Sequence, residues 1–196
     1  MMHPFTEIQF ISDEIGHGVV ATRFIPKGTI TWVQDELDQI YTPQQVAKMQ
    51  KLSQEMIDKY SFRNNKGNFV LCWDISKYVN HSFRSNCFST AYDFEIAVRD
   101  IYPGEELTDD YGYLNVTEAF KPKDEGTSRS IVYPDDLLHF HKEWDAQLED
   151  TFRFIREVNQ PLMSLVPGPV QQKLNLILDG REQPESLLSL YYDDTK

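Results

Sequence analysis

The order of apolar and polar positions changes character near residue 118. Before that point it consists of short β-rich runs separated by turns. Residues 8–11 and 18–22 are apolar or β-branched, Pro26-Lys27-Gly28 is a turn, and Thr29-Ile30-Thr31-Trp32-Val33 resumes the strand pattern. One helix interrupts the series. Thr42-Pro43-Gln44-Gln45 has capping-box spacing with Pro at the first helical position, and Val46, Met49, Leu52, Met56, Ile57 and Tyr60 recur at helical intervals. A loop over residues 64–68 leads to a strand at 69–73, and residues 87–90 and 95–98 read as two more.

After residue 118 the period lengthens. Residues 121–128 form a polar, turn-rich connector. Leu137, Phe140, Trp144, Leu148, Phe152 and Ile155 then mark a helix following Pro134. Pro167-Gly168-Pro169 opens a second helix that Gly180 ends, and Pro184-Glu185 opens a third through Leu187, Leu188 and Tyr191. The expected layout is a β-rich body over 1–117 with an inserted helical segment at about 36–67, a connector over 118–133 and a helical segment over 134–196.

Composition narrows the class. The 196 residues suffice for one domain with a core plus a smaller appended element, and 40% hydrophobic content argues for a folded chain. No apolar run approaches the roughly 18 residues of a membrane span. The start of the chain lacks a basic region followed by an apolar stretch, so no secretory signal is expected. Two cysteines, Cys72 and Cys87, make no disulfide framework and suit a reducing, cytoplasmic setting. Nineteen basic against 31 acidic residues leave a net charge of −12, which disfavours nucleic-acid binding and favours encounter with a basic partner.

Gly16-His17-Gly18-Val19-Val20-Ala21 formally fits the dinucleotide fingerprint. That motif requires a helix after the glycines, yet Val19 and Val20 are β-branched and Pro26 follows within ten residues. The competing reading is a strand–turn–strand in which glycine lets backbone approach a ligand.

Two further segments favour the second reading. Asn80-His81-Ser82-Phe83-Arg84-Ser85-Asn86-Cys87 and the stretch Ile96-Ala97-Val98-Arg99-Asp100-Ile101, Pro103-Gly104-Glu105-Glu106-Leu107-Thr108 and Asp110-Tyr111-Gly112 follow the glycine motif in order. Together the three resemble the glycine, N-H-S-x-x-P-N-C and closing D-Y motifs of SET-domain protein-lysine methyltransferases, in a compact, stand-alone, bacterial-type form. Ser85 stands where Pro is usual. The resemblance implies an α+β, mainly β fold of small sheets, with the Asn80-His81 segment crossing beneath the loop that carries Tyr111. It implies S-adenosyl-L-methionine as methyl donor, held by Gly16, His17, Gly18, Asn80, His81 and Tyr111, with Tyr111 catalytic. The acceptor would be lysine in a protein or peptide, most readily a basic one. Tyr60, Tyr78, Phe88 and Tyr113 are candidates for an aromatic channel that keeps water from the amine.

Two further departures qualify the resemblance. No cysteine follows Cys87, so the zinc-binding segment that closes the channel in many relatives is lacking and no metal is expected. Either the helical tail, with Trp144 and Phe152, replaces that segment as a lid, or it packs on the back of the domain. Asp109 occupies a position where many relatives carry Phe or Tyr, so the number of methyls transferred is not legible; beside Asp110 it reads as a solvated surface carboxylate, with contact to a basic substrate as the alternative. Two alternative functions fit the same residues: a SET-like module that docks basic peptides without turnover, and a methyltransferase for a small amine.

Overall fold

The computed structural model describes residues 1–193. β1 (Thr6–Ser12) and β2 (Gly16–Ala21) form an antiparallel hairpin, with Gly16 at φ +84° where the chain reverses. β3 (Ile30–Val33) is buried at every position. β4 (Gln39–Tyr41) enters the insert, followed by α1 (Pro43–Val46), α2 (Lys51–Tyr60), β5 (Ser61–Arg63) and β6 (Phe69–Leu71). The body closes with β7 (Asn80–His81), β8 (Cys87–Ser89), β9 (Phe94–Ala97) and β10 (Glu106–Asp109), and the tail carries α3 (Asp136–Phe152) and α4 (Gly168–Leu178).

The strands make three small sheets, in the orders β1-β2-β10-β7, β3-β9-β8 and β4-β6-β5. The fold is therefore α+β and mainly β. The glycine motif lies on β2 with no helix after it, which removes the dinucleotide-fold reading. Among the described residues no helix is long and apolar enough to cross a membrane.

The insert departs from the single helix that its periodicity predicts. Thr42 forms its capping box, with Gln45 N–H donating to Thr42 Oγ1 at 3.2 Å and Thr42 N–H to Gln45 Oε1 at 2.7 Å. Yet α1 ends at Val46, and the chain is extended at Gln50 before α2 begins. α1 buries no residue and α2 buries only Ile57. Without an apolar face held against a core, a helix of this length has little to keep it continuous. Gln54 Nε2 donates to Met49 O at 2.8 Å and fastens the break.

The tail is not an appendage. Leu137, Trp144, Leu148 and Phe152 of α3 and Leu174 and Ile177 of α4 share one buried cluster with Ile30, Phe88, Phe94, Ile96 and Tyr113. A second cluster, around Val19, Ile25, Trp32, Ile101 and Leu107, fills the body. The third expected helix is a single 3-10 turn, Leu187–Leu190. Asp145 of α3 holds it by accepting from Ser186 Oγ at 2.5 Å and from Leu187 N at 2.8 Å.

Candidate active site

β7 pairs in parallel with β10, setting Asn80 opposite Thr108 and His81 opposite Asp109. The junction continues past the strands. Ser82 N donates to Asp109 O at 2.9 Å, and buried Asn86 uses its side chain as a substitute strand, accepting from Thr108 N at 2.9 Å and donating to Glu106 O at 2.8 Å. This brings together the two segments that the sequence motifs single out.

Immediately after β10, Asp110 caps the 3-10 turn Tyr111–Tyr113 by accepting from Gly112 N at 3.0 Å. Tyr111 is fixed at both ends. Its backbone N–H donates to His81 Nδ1 at 3.1 Å and its hydroxyl donates to Val79 O at 2.7 Å. Because Nδ1 accepts, the neutral ring carries its proton on Nε2. That Nε2 is buried and has no hydrogen-bond partner among the described residues. Burial, reinforced by the Arg129 charge, lowers the His81 pKa to about 4, so the ring is neutral at physiological pH.

Tyr111 lies on the wall of a cavity of about 440 Å³, within the ~300–1,000 Å³ range of small-molecule sites. Three stretches surround it: residues 58–63 at the α2–β5 junction, part of the 3-10 turn Ile75–Tyr78, and residues 114–118 with Phe120. Asn115 shapes this last wall. It adopts φ +51°, donates to Arg63 O at 3.0 Å and Leu190 O at 2.8 Å, and accepts from Tyr192 N at 2.9 Å. The cavity is thus closed on one side by the start of the connector, not by α3. Trp144 and Phe152, 4% and 3% exposed, are core residues, so of the two readings of the tail they follow the one in which it packs on the domain.

The aromatic candidates separate. Tyr60 is on the cavity wall. Tyr78 stands behind it, its ring packed between Tyr60 at 5.5 Å and His17 at 6.5 Å. Phe88 and Tyr113 do not face the cavity. They are 4% and 1% exposed, in the cluster with Trp144, whose ring is 5.1 Å from Tyr113. Aromatic character drew both into the channel reading, but it serves a core equally well. Phe120, which the sequence reading passed over, occupies the wall instead, 6.2 Å from the Tyr111 ring and 5.7 Å from His81.

The carboxylates bring a larger correction. Asp109 and Asp110 are both 2% exposed. Asp110 pairs with Arg129, which also holds Asp136 at 2.5 Å. Asp109 lines the cavity beside Glu95, accepts from the Tyr113 hydroxyl and has no cationic partner among the described residues. Burial, then the Glu95 charge, pushes Asp109 well above the usual carboxylate range, and burial lifts Glu95 to about 7. Burial, with the charges of Asp109, Glu95 and Glu106, likewise raises the Tyr111 phenol, so Tyr111 remains a protonated donor. Cys72, also on the wall, is raised by burial to about 12 and is no thiolate nucleophile.

The glycine motif adjoins this region without lining the cavity. A Cβ on Gly18 would collide with Glu106 Oε1, Ile11 Cγ1 and Asn80 Nδ2, whereas nothing lies within 4 Å of one on Gly16. Asn80 is a strut: its Nδ2 donates to His17 O at 3.0 Å and to Glu106 Oε1 at 2.7 Å. For S-adenosyl-L-methionine the surroundings fit in three respects. Space is open over Gly16, β7 is an edge strand with backbone groups facing no neighbour, and the His81 Nε2–H lacks an acceptor. Both cysteines are free and buried, and among the described residues no group of three or more His, Cys, Asp or Glu side chains could hold a metal.

No curated protein matches the chain significantly. The family model for the SET domain matches residues 16–112, a span that opens at the glycine motif and closes just after Tyr111. With its three small sheets and its junction of β7 with β10, the chain is a SET-domain protein, of a methyltransferase family.

Proposed function

We propose that the protein is a protein-lysine N-methyltransferase using S-adenosyl-L-methionine. The observation that carries this reading is Tyr111, its phenol protonated, its backbone held by His81 and its hydroxyl by Val79, on the wall of a cavity of about 440 Å³. The cofactor would be held by backbone around Gly16 and His17, the free edge of β7 and the His81 Nε2–H, and when bound it supplies an electrophilic methyl on a sulfonium sulfur. The chain's own residues then have three tasks. They place a lysine nitrogen in line with that methyl, exclude water and leave the nitrogen uncharged. Tyr60, Phe62 and Phe120 supply apolar wall, and the Tyr111 oxygen, fixed on Val79 O, orients the reacting groups.

A peptide acceptor is favoured over a free amine by the cavity's position at the end of the inserted helix α2, and by the net charge of −12. The test is incubation with methyl-labelled cofactor and either a lysine-rich protein mixture or free amino acids. Label on protein lysines is expected. Label only on free amines points to a small-molecule methyltransferase, and cofactor binding without label to a docking module.

A further inference from the structure

An apolar lysine channel lowers the amine's pKa by burial alone. The floor of this cavity does the opposite. Glu95 is on the central strand of the β3-β9-β8 sheet, with Trp32 and Ser89 as its cross-strand neighbours, and all three line the cavity with Asp109. Anionic groups there stabilise a bound ammonium. At an ordinary lysine pKa of about 10.4, only about one molecule in a thousand is uncharged near neutrality. Transfer therefore needs a group that removes the proton.

Neither Tyr111 and Cys72 on the wall nor His81 beside Tyr111 is suited to that task. The Tyr111 phenol and the Cys72 thiol are both held protonated. His81 Nδ1 is occupied by the Tyr111 N–H, and Nε2 carries the ring's proton. An unpaired hydrogen-bond donor also lies beside Glu95. Trp32 is 5% exposed, on the wall next to Glu95, and its buried Nε1–H has no acceptor among the described residues.

We infer that Glu95, backed by Asp109, is the general base that takes the proton from the substrate's ammonium group; this rests on the lysine-transfer reading. The step balances simply. The Glu95 carboxylate accepts one proton from R–NH3⁺ to give R–NH2 and the carboxylic acid, and the nitrogen lone pair so freed forms the new bond to carbon. Asp109 holds its own proton, so the pair carries a single negative charge and can accept one more proton. A carboxylate that titrates near the working pH suits this role. The groups around Glu95 are Asp109 from β10, Asp74 before the 3-10 turn and the Met1 ammonium from the chain start, with Tyr111 and the neutral thiols Cys72 and Cys87 alongside. The Asp109 hydrogen bond and then the Met1 charge oppose protonation of Glu95, whereas burial and the Asp74 charge favour it.

The test compares wild type with Glu95→Gln, which keeps the side chain's size, over a pH series with a lysine peptide. Near neutral pH the variant should turn over about tenfold more slowly or worse, with unchanged cofactor affinity by calorimetry. The deficit should shrink as pH approaches about 10, where solution supplies neutral amine. A variant with the wild-type rate and pH profile overturns the inference while leaving the methyltransferase reading intact. If wild type methylates no lysine peptide, that reading fails, and binding of butylammonium then decides the floor's role. Weaker binding by Glu95→Gln supports an ammonium site, and equal binding overturns it.

Discussion

Asp109 and Asp110 are adjacent and equally buried, yet among the described residues only Asp110 has a cation, Arg129, to balance it. The difference sets how the molecule responds to pH. Glu95 shares the floor with Asp109 and titrates near 7 folded against an ordinary 4.5. Between those values the folded state holds a proton that the unfolded chain has lost. The stability this contributes is complete at low pH and disappears as pH rises through 7. Glu95→Gln removes that loss, so relative to wild type the variant should gain thermal stability on going from about pH 5 to about pH 8. An equal difference in Tm at both pH values would mean that Glu95 titrates as an ordinary exposed carboxylate. Such carboxylates are hard to see in sequence. The alternation Phe94, Glu95, Ile96 is that of a half-solvated strand, and only the fold reveals that the polar side faces a cavity. Tyr111 and His81 were legible because neighbouring motif residues fix their context. Phe88 and Tyr113 were misplaced because an aromatic residue reads alike in a core and in a wall.

At the level of elements, Arg129 is the join between the catalytic turn and the tail. It pairs with Asp110 ahead of Tyr111 and with Asp136 in the first turn of α3, and its guanidinium lies 4.7 Å from the Phe83 ring centre and 4.6 Å from that of Phe140. Nothing in the polar connector sequence distinguishes this arginine from a solvated one. Arg129→Met should destabilise the protein by about 3–5 kcal/mol, because two buried carboxylates lose their counter-charge. Denaturant unfolding checks this, and a loss below about 1 kcal/mol would mark the pair as a surface bridge. The helices α3 and α4 were legible because the Leu137–Phe152 spacing fits one apolar stripe and Pro167 and Gly180 delimit α4. The break between α1 and α2 was not, since periodicity in the insert promised a buried face that only Ile57 supplies.

For the whole molecule, the β3-β9-β8 sheet and Tyr113 share one core with the tail, so the turn that carries Tyr111 leans on helices outside the matched SET span. The sequence separates these parts at the connector. It carries no signal that Leu137 and Trp144 pack on Tyr113, because contacts so distant in sequence leave no local periodicity. The junction of β7 with β10 and the cavity meet at Tyr111. The most direct measurement is mass spectrometry of a lysine-rich peptide incubated with S-adenosyl-L-methionine and either wild type or Tyr111→Phe. Wild type should add methyl to lysine, and the folded, cofactor-binding Phe variant should add it about tenfold more slowly or worse. A Phe variant as fast as wild type would contradict Tyr111's place at the centre of the chemistry.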